Sequence, residues 1–138
     1  MIVSAVPPEY LSKIWRPVRQ HLEGAVRTAD KKYHVDDIYR EVDSGYYGLW
    51  IVIDPEDDAI IAAFTTRIIQ YPNRKAIALD WVGGIRMKEW IDLVLDEITE
   101  YAKDMGCRHL EGYGRKAWGR WLAKRGWNQA YIAYEAEI

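Results

Sequence analysis

Residues 105–130 carry Arg108, Arg115, Lys116, Arg120, Lys124 and Arg125 against a single acid, Glu111. A segment so basic attracts phosphate, on a small ligand or on nucleic acid. Lys116, Arg120 and Lys124 recur every fourth residue and would line one face of a helix. Such a stripe is usually just a solvated face; functionally it could meet nucleic acid, the phosphates of a small ligand or an acidic protein partner. The net charge of −2 over the chain makes nucleic acid the weaker of these readings. Gly112-Tyr113-Gly114-Arg115-Lys116-Ala117 formally fits the dinucleotide pattern G-x-G-x-x-A. Only one strand-like run follows it, too little for half of a doubly wound sheet. No P-loop sequence occurs, and His21, His34 and His109 lack metal-ligand spacing. Cys107 opens an apolar run and reads as an inert core thiol. Gly83-Gly84, followed by Arg86, stands where a strand pattern gives way to a helix pattern, and its plainest reading is a tight turn.

These residues belong to a chain of 138, a length that predicts one domain over residues 1–138. With 29% charged and 49% hydrophobic residues, the composition is that of a globular protein able to bury its own core. One cysteine excludes a disulfide framework and a cysteine-based zinc cluster, and fits a reducing cytosol. No apolar run approaches membrane-spanning length, and residues 1–8 lack the features of a signal peptide. A cytoplasmic protein is the expectation. Charge is uneven: residues 1–69 hold 8 basic and 11 acidic side chains, residues 70–138 hold 11 and 10. Seven Trp and ten Tyr against one Phe favour places where apolar surface meets water or a ligand.

The pattern of elements must position this chemistry. Residues 2–6 read as a short strand, and Pro8 suits the first turn of a following helix. Leu11, Ile14, Trp15, Val18 and Leu22 repeat at helical spacing, with Pro17 predicting a kink or break. Residues 36–44 form a second helix with Gly45 as its stop. Residues 46–53, 59–71 and 75–82 are β-rich runs separated by short turns, hence an antiparallel meander. Residues 87–105 carry a nine-residue apolar stripe from Met87 to Met105, and Gly106 ends that helix. A strand over 107–113, a helix over 115–125 and a strand over 127–137 complete the order β-α-α-β-β-β-α-β-α-β. This is an α/β mixed sheet containing one β-α-β crossover.

That succession resembles the GNAT superfamily of N-acetyltransferases over nearly the whole chain. Tyr101-Ala102-Lys103-Asp104-Met105-Gly106-Cys107-Arg108-His109-Leu110 is similar to the family's passage from helix end to buried strand. Trp121-Leu122-Ala123-Lys124-Arg125-Gly126-Trp127 is similar to its later helix-to-strand passage. Three further stretches, Asp36-Asp37-Ile38-Tyr39, Gly48-Leu49-Trp50-Ile51-Val52 and Gly114-Arg115-Lys116-Ala117-Trp118-Gly119-Arg120, resemble compact GNAT-like proteins encoded by tailed phages and prophages.

The resemblance implies acetyl-CoA as cofactor, held at a helix start where free amides and the helix dipole meet a pyrophosphate. In this sequence that place is Val82, Gly83, Gly84, Ile85, Arg86 and Met87, with Arg115 on the neighbouring helix. Asp80 stands where the family pattern has Gln or Arg, and Ile85 where it has a second small residue. By position the resemblance also implies Asp80 or Glu111 as base; the alternative is an ion pair of either acid with Arg108 or Arg115. Leu122 occupies the place of the family's proton-donating Tyr, for which Tyr113 or a water could substitute. The implied function is transfer of an acetyl group to an amine. The other reading is a non-catalytic GNAT-fold phage accessory or virion protein, found in the host cytoplasm or the virion, that acts through contacts with a protein partner or, second to that, nucleic acid.

Overall fold

Alternating apolar residues with short polar turns fold into one five-stranded sheet, and the computed structural model describes residues 1–29 and 31–138. The strands are β1 (Ile2–Ala5), β2 (Gly48–Asp54), β3 (Ala59–Gln70), β4 (Lys75–Gly84) and β5 (His109–Gly112), side by side in that order. β1 to β4 are antiparallel neighbours, and β5 runs parallel to β4. The intervening crossover is α3 (Ile91–Asp104), while α1 (Leu11–Val26), α2 (Val35–Asp43) and α4 (Trp118–Ala123) complete the helices. Among the described residues no helix is long and apolar enough to cross a membrane.

Both faces of the sheet are covered, so its central strands are apolar on both sides. Leu49, Ile51 and Ala63 face α1 and α2, where they meet Leu11, Val18, Leu22, Val35 and Ile38. Val52, Phe64, Ile77 and Leu79 face α3 and meet Trp90, Ile91, Val94, Leu95 and Ile98. α1 runs through Pro17 without interruption, because the buried residues on both sides of it belong to one cluster. His34 caps α2: its Nδ1 accepts from the Asp36 amide at 3.2 Å, and Asp37 Oδ2 accepts from the His34 amide at 2.8 Å.

Several boundaries differ from those the sequence suggests. The helix expected from residue 87 opens as a 3-10 turn, Met87–Glu89, and becomes α-helical at Ile91. Trp90 sits at that junction, 2% exposed, and donates from Nε1 to the Ile85 carbonyl at 2.7 Å. Gly83 and Gly84 are not a free turn; they end β4, paired with Ala63 and Ala62 of β3. A β-carbon on Gly83 would stand 2.0 Å from the His21 carbonyl oxygen, and one on Gly84 would stand 2.5 Å from the Ala62 β-carbon. Glycine is required there so that α1 and β3 can approach.

α4 is shorter than the expected helix, and residues 127–138 carry no regular secondary structure where the alternation predicts a strand. Trp127 still packs on the α3-side core and donates its amide to the Leu122 carbonyl at 3.0 Å. Beyond it the residues are exposed, and β5, with four residues, offers them little edge to pair with.

Trp90→Ala should lower stability by about 3–5 kcal/mol, as loss of a buried aromatic does. Gly83→Ala should cost about 1–3 kcal/mol, because α1 must retreat from the new methyl group. Urea unfolding of the two variants checks both values. A loss under about 1 kcal/mol for either would mean that the α3 or α1 packing is drawn wrongly.

Candidate active site

The site begins with an irregularity between β3 and β4. Phe64 pairs with Val82 and Thr66 with Leu79, so Asp80 and Trp81 together oppose the single Thr65. This is a β-bulge, which leaves part of the ladder unpaired and re-aims side chains. Leu79 and Val82 pack toward α3, whereas Trp81 packs with the α1–α2 core. Asp80 joins Arg67 in a two-pronged ion pair, Nε to Oδ2 at 2.8 Å and Nη2 to Oδ1 at 3.1 Å. Hydrogen bonding to Asp80 pushes the Arg67 guanidinium well above its ordinary range, against an opposing contribution from burial. Tyr46 lies beneath that guanidinium, 5.7 Å from ring centroid to Cζ.

Trp81 is held from two sides. Its Nε1 donates to the Tyr47 hydroxyl at 3.2 Å, and Tyr33 meets it edge to face at 5.0 Å. Burial pushes the Tyr47 phenol up to about 12, so it stays protonated at neutral pH. Thr65 Oγ1, opposite the bulge, is buried and has no hydrogen-bond partner among the described residues.

Pairing of β4 with β5 covers Ala76 to Leu79 against His109 to Gly112 and then stops, although β4 continues to Gly84. From Asp80 onward, therefore, β4 has a bare edge facing the segment that leads into α4. Glu111 is the β5 partner of Ala78, whose other neighbour is Arg67 of β3. Leu110 turns to the α3 side, so Glu111 turns to the side of Asp80 and Arg67. Two phenols donate to Glu111 Oε2: Tyr71 at 2.9 Å and Tyr113 at 3.1 Å. Burial, with the neighbouring Tyr131 and Glu111, raises the Tyr113 phenol well above its ordinary value. The hydrogen bond to Glu111 raises Tyr71 in the same direction.

Among the residues expected from sequence, Asp80, Glu111 and Tyr113 thus lie near one another but in two groups, Asp80 with Arg67 and Glu111 with Tyr71 and Tyr113, with Arg67 and Glu111 on the strands either side of Ala78. The ion-pair partners suggested by sequence, Arg108 and Arg115, are replaced by Arg67 for Asp80 and by two tyrosines for Glu111. The expected cofactor residues are more dispersed. Val82 and Met87 pack on the α3-side core, and Ile85 is exposed. Arg86 takes a left-handed backbone (φ 59°), and its charge is already neutralised by Asp54 at 2.8 Å and Glu89 at 2.6 Å. Arg115 is exposed, with its carbonyl accepting from the Trp118 amide. Arg125, in the segment after α4, ties to Asp92 and Asp96 of α3, so α4 and α3 are clasped together. Two surface cavities of about 300 and 290 Å³ lie elsewhere, one at Glu23, Tyr33 and His34 and one at Thr99, Cys107 and Leu110. Among the described residues no three His, Cys, Asp or Glu side chains group as a metal site.

Arg67, Tyr71 and Thr65 are site residues that sequence reasoning passed over. The signal for Thr65 and Arg67 was the polar run Thr65-Thr66-Arg67 inside the otherwise apolar β3; Tyr71, just past the strand, had no such signal. Arg67→Ala would leave the Asp80 charge poorly solvated, at a cost of about 2–3 kcal/mol, between that of a surface and a fully buried pair. Arg67→Met combined with Asp80→Leu should recover most of that loss. Denaturant unfolding of the single and double variants decides it, and a double variant as unstable as Arg67→Ala would contradict the pairing.

By sequence, the chain matches no protein-family model and no curated protein. Its backbone, however, is similar to those of solved acetyltransferases. Glucosamine-6-phosphate N-acetyltransferase from Arabidopsis thaliana superposes with a TM-score of 0.69 at 14% identity, over 99% of this chain and 97% of that one. A GNAT family acetyltransferase from Staphylococcus aureus gives 0.67 at 11%, over 99% and 98%. An acetyltransferase from Trypanosoma brucei gives 0.67 at 11%, over 99% of each chain. At such identities the likeness concerns the backbone: this chain has the GNAT fold.

Proposed function

We propose that this protein transfers an acetyl group from acetyl-CoA to an amine, with the bulged edge of β4 as the seat of the reaction. The observation that carries the reading is the bulge at Asp80 and Trp81, next to an edge that β5 leaves bare. An unpaired strand edge offers backbone groups to an extended, amide-bearing ligand, as a neighbouring strand would. The residues present fit acetyl-CoA there. Beside the bulge lies a buried hydroxyl, that of Thr65, with no partner of its own. The turn at Met87–Glu89 has no side-chain cap, which leaves the amides of Met87 and Lys88 as candidates to meet phosphate. Lys88 is the cation best placed beside them, since Arg86 is occupied.

When bound, acetyl-CoA supplies an activated acyl thioester. The rest of the chemistry falls to side chains of this chain. Glu111 removes a proton from the acceptor ammonium and so releases the lone pair that attacks. Asp80 is the poorer base, because both of its oxygens are engaged by Arg67. Tyr113, kept protonated by its surroundings, is the donor for the departing sulfur and regains a proton from the nitrogen, which sheds its second one as the amide forms, while Glu111 passes its own proton to solvent. It takes the part that Leu122 cannot, since an aliphatic side chain has no proton to give.

Acetyl-CoA at a hundred times its dissociation constant should stabilise the protein by about 2.7 kcal/mol, read as a rise in Tm. Glu111→Gln should lower kcat/KM with an amine acceptor by about 10²- to 10⁴-fold while the Tm shift persists. Because the Tyr113 phenol is raised, its ionisation should produce no alkaline loss of rate below about pH 10. An unchanged Tm at millimolar acetyl-CoA would overturn the reading and favour a non-catalytic protein of this fold.

A further inference from the structure

Glu111 stands out among the carboxylates near the bulge. It makes no ion pair among the described residues, and its two hydrogen bonds both reach Oε2, leaving Oε1 without a donor. Its neighbours are phenols: Tyr71 and Tyr113 directly, and Tyr131 beside Tyr113. Asp80, by contrast, is balanced by Arg67. Locally the site therefore carries one uncompensated negative charge in an aromatic collar.

We propose that the acceptor is a primary ammonium on an uncharged alkyl or arylalkyl body, taken up by Glu111 Oε1 and the faces of Tyr113 and Tyr131. This assignment rests on the acetyl-transfer reading above and specifies its second substrate. Three observations carry it. A half-buried carboxylate without a cation is completed by a charge-assisted bond from an ammonium, and aromatic faces add attraction for the same charge. A guanidinium would satisfy the charge but cannot give up a proton, whereas a primary ammonium with its pKa near 10 can. A phosphate on the acceptor would meet the Glu111 charge, and the Arg67 guanidinium, across Ala78 from Glu111, is already engaged by Asp80 through both prongs. The body of the acceptor then lies on exposed aromatic surface: Tyr46 is 52% exposed, Tyr113 46% and Tyr131 67%.

The test is calorimetric titration of the full-length protein, without acetyl-CoA, with phenethylamine, N-acetylphenethylamine and phosphoethanolamine. Phenethylamine should bind, and the neutral amide and the phosphorylated amine should bind at least about tenfold more weakly. Glu111→Gln should weaken phenethylamine by about 10- to 100-fold. The double variant Tyr113→Phe with Tyr71→Phe should keep most of the affinity, since the ring faces and the carboxylate remain. A circular dichroism melt identifies any variant that fails to fold; for such a variant, Glu111→Asp in its place must still bind phenethylamine and not the amide. Equal binding of amine and amide, preference for phosphoethanolamine, or undiminished binding by folded Glu111→Gln would each overturn the proposal. Titration with acetyl-CoA alone separates the two claims. Loss of amine binding with acetyl-CoA bound condemns the acceptor assignment only, whereas amine binding without any acetyl-CoA binding condemns acetyl transfer.

Discussion

A single extra residue in β4 organises this molecule. Because Asp80 and Trp81 both oppose Thr65, two consecutive side chains point to the same face of the sheet. The first meets Arg67 and the second meets Tyr47 and Tyr33. The alternation then resumes with Val82 on the α3 side, so the strand can still close both cores. Without the bulge, every residue from 81 to 84 would exchange faces, and Gly83 could no longer receive the His21 carbonyl. The bulge also coincides with the end of β5 pairing, so the polar network and the bare edge lie together.

The two cores divide the work of holding that edge in place. On one side α1 fixes β4 through the contact at Gly83 and β3 through the His21 Nε2 bond to the Ile60 carbonyl at 2.7 Å. On the other, Trp90 anchors the head of α3 to the Ile85 carbonyl. Arg86 spans the junction, linking Asp54 at the end of β2 to Glu89 in the turn. The Asp54 carboxyl is held below the usual range by the Glu56 amide and by Arg86, so this link strengthens above the carboxylate range and is lost as pH falls through it. Arg86 is in this sense a structural clasp, and charge near the turn must come from elsewhere.

How much of this could be read in the residues depended on sequence distance. The meander was legible because its turns, Asp54-Pro55-Glu56-Asp57-Asp58 and Pro72-Asn73-Arg74, are local signals. The stripe of α3 was legible because helical spacing identifies Trp90, Ile91, Val94, Leu95, Ile98 and Ala102 directly, and these are the buried ones. Glu111 and Tyr113 are two residues apart and needed only a short strand to meet. Arg67 and Asp80 are different. Their contact is set by the register across a bulge, which no pairwise spacing announces, although Thr65-Thr66-Arg67 interrupts an apolar strand. Arg108 and Arg115 were nearer in sequence to Glu111 but belong to neither partner set. The alternation over residues 127–137 is real, yet a period of two needs a sheet edge to become a strand.

The central claim is that the bare edge of β4 receives the acyl donor. Backbone amide chemical-shift mapping with acetyl-CoA tests it most directly, because it reports where contact occurs whether or not turnover follows. Perturbations should cluster at Asp80 to Lys88 and at Tyr113 to Trp118, with residues lining the cavity at Thr99, Cys107 and Leu110 unmoved. Perturbations centred on that cavity, or along Lys116, Arg120 and Lys124 with β4 silent, would contradict it.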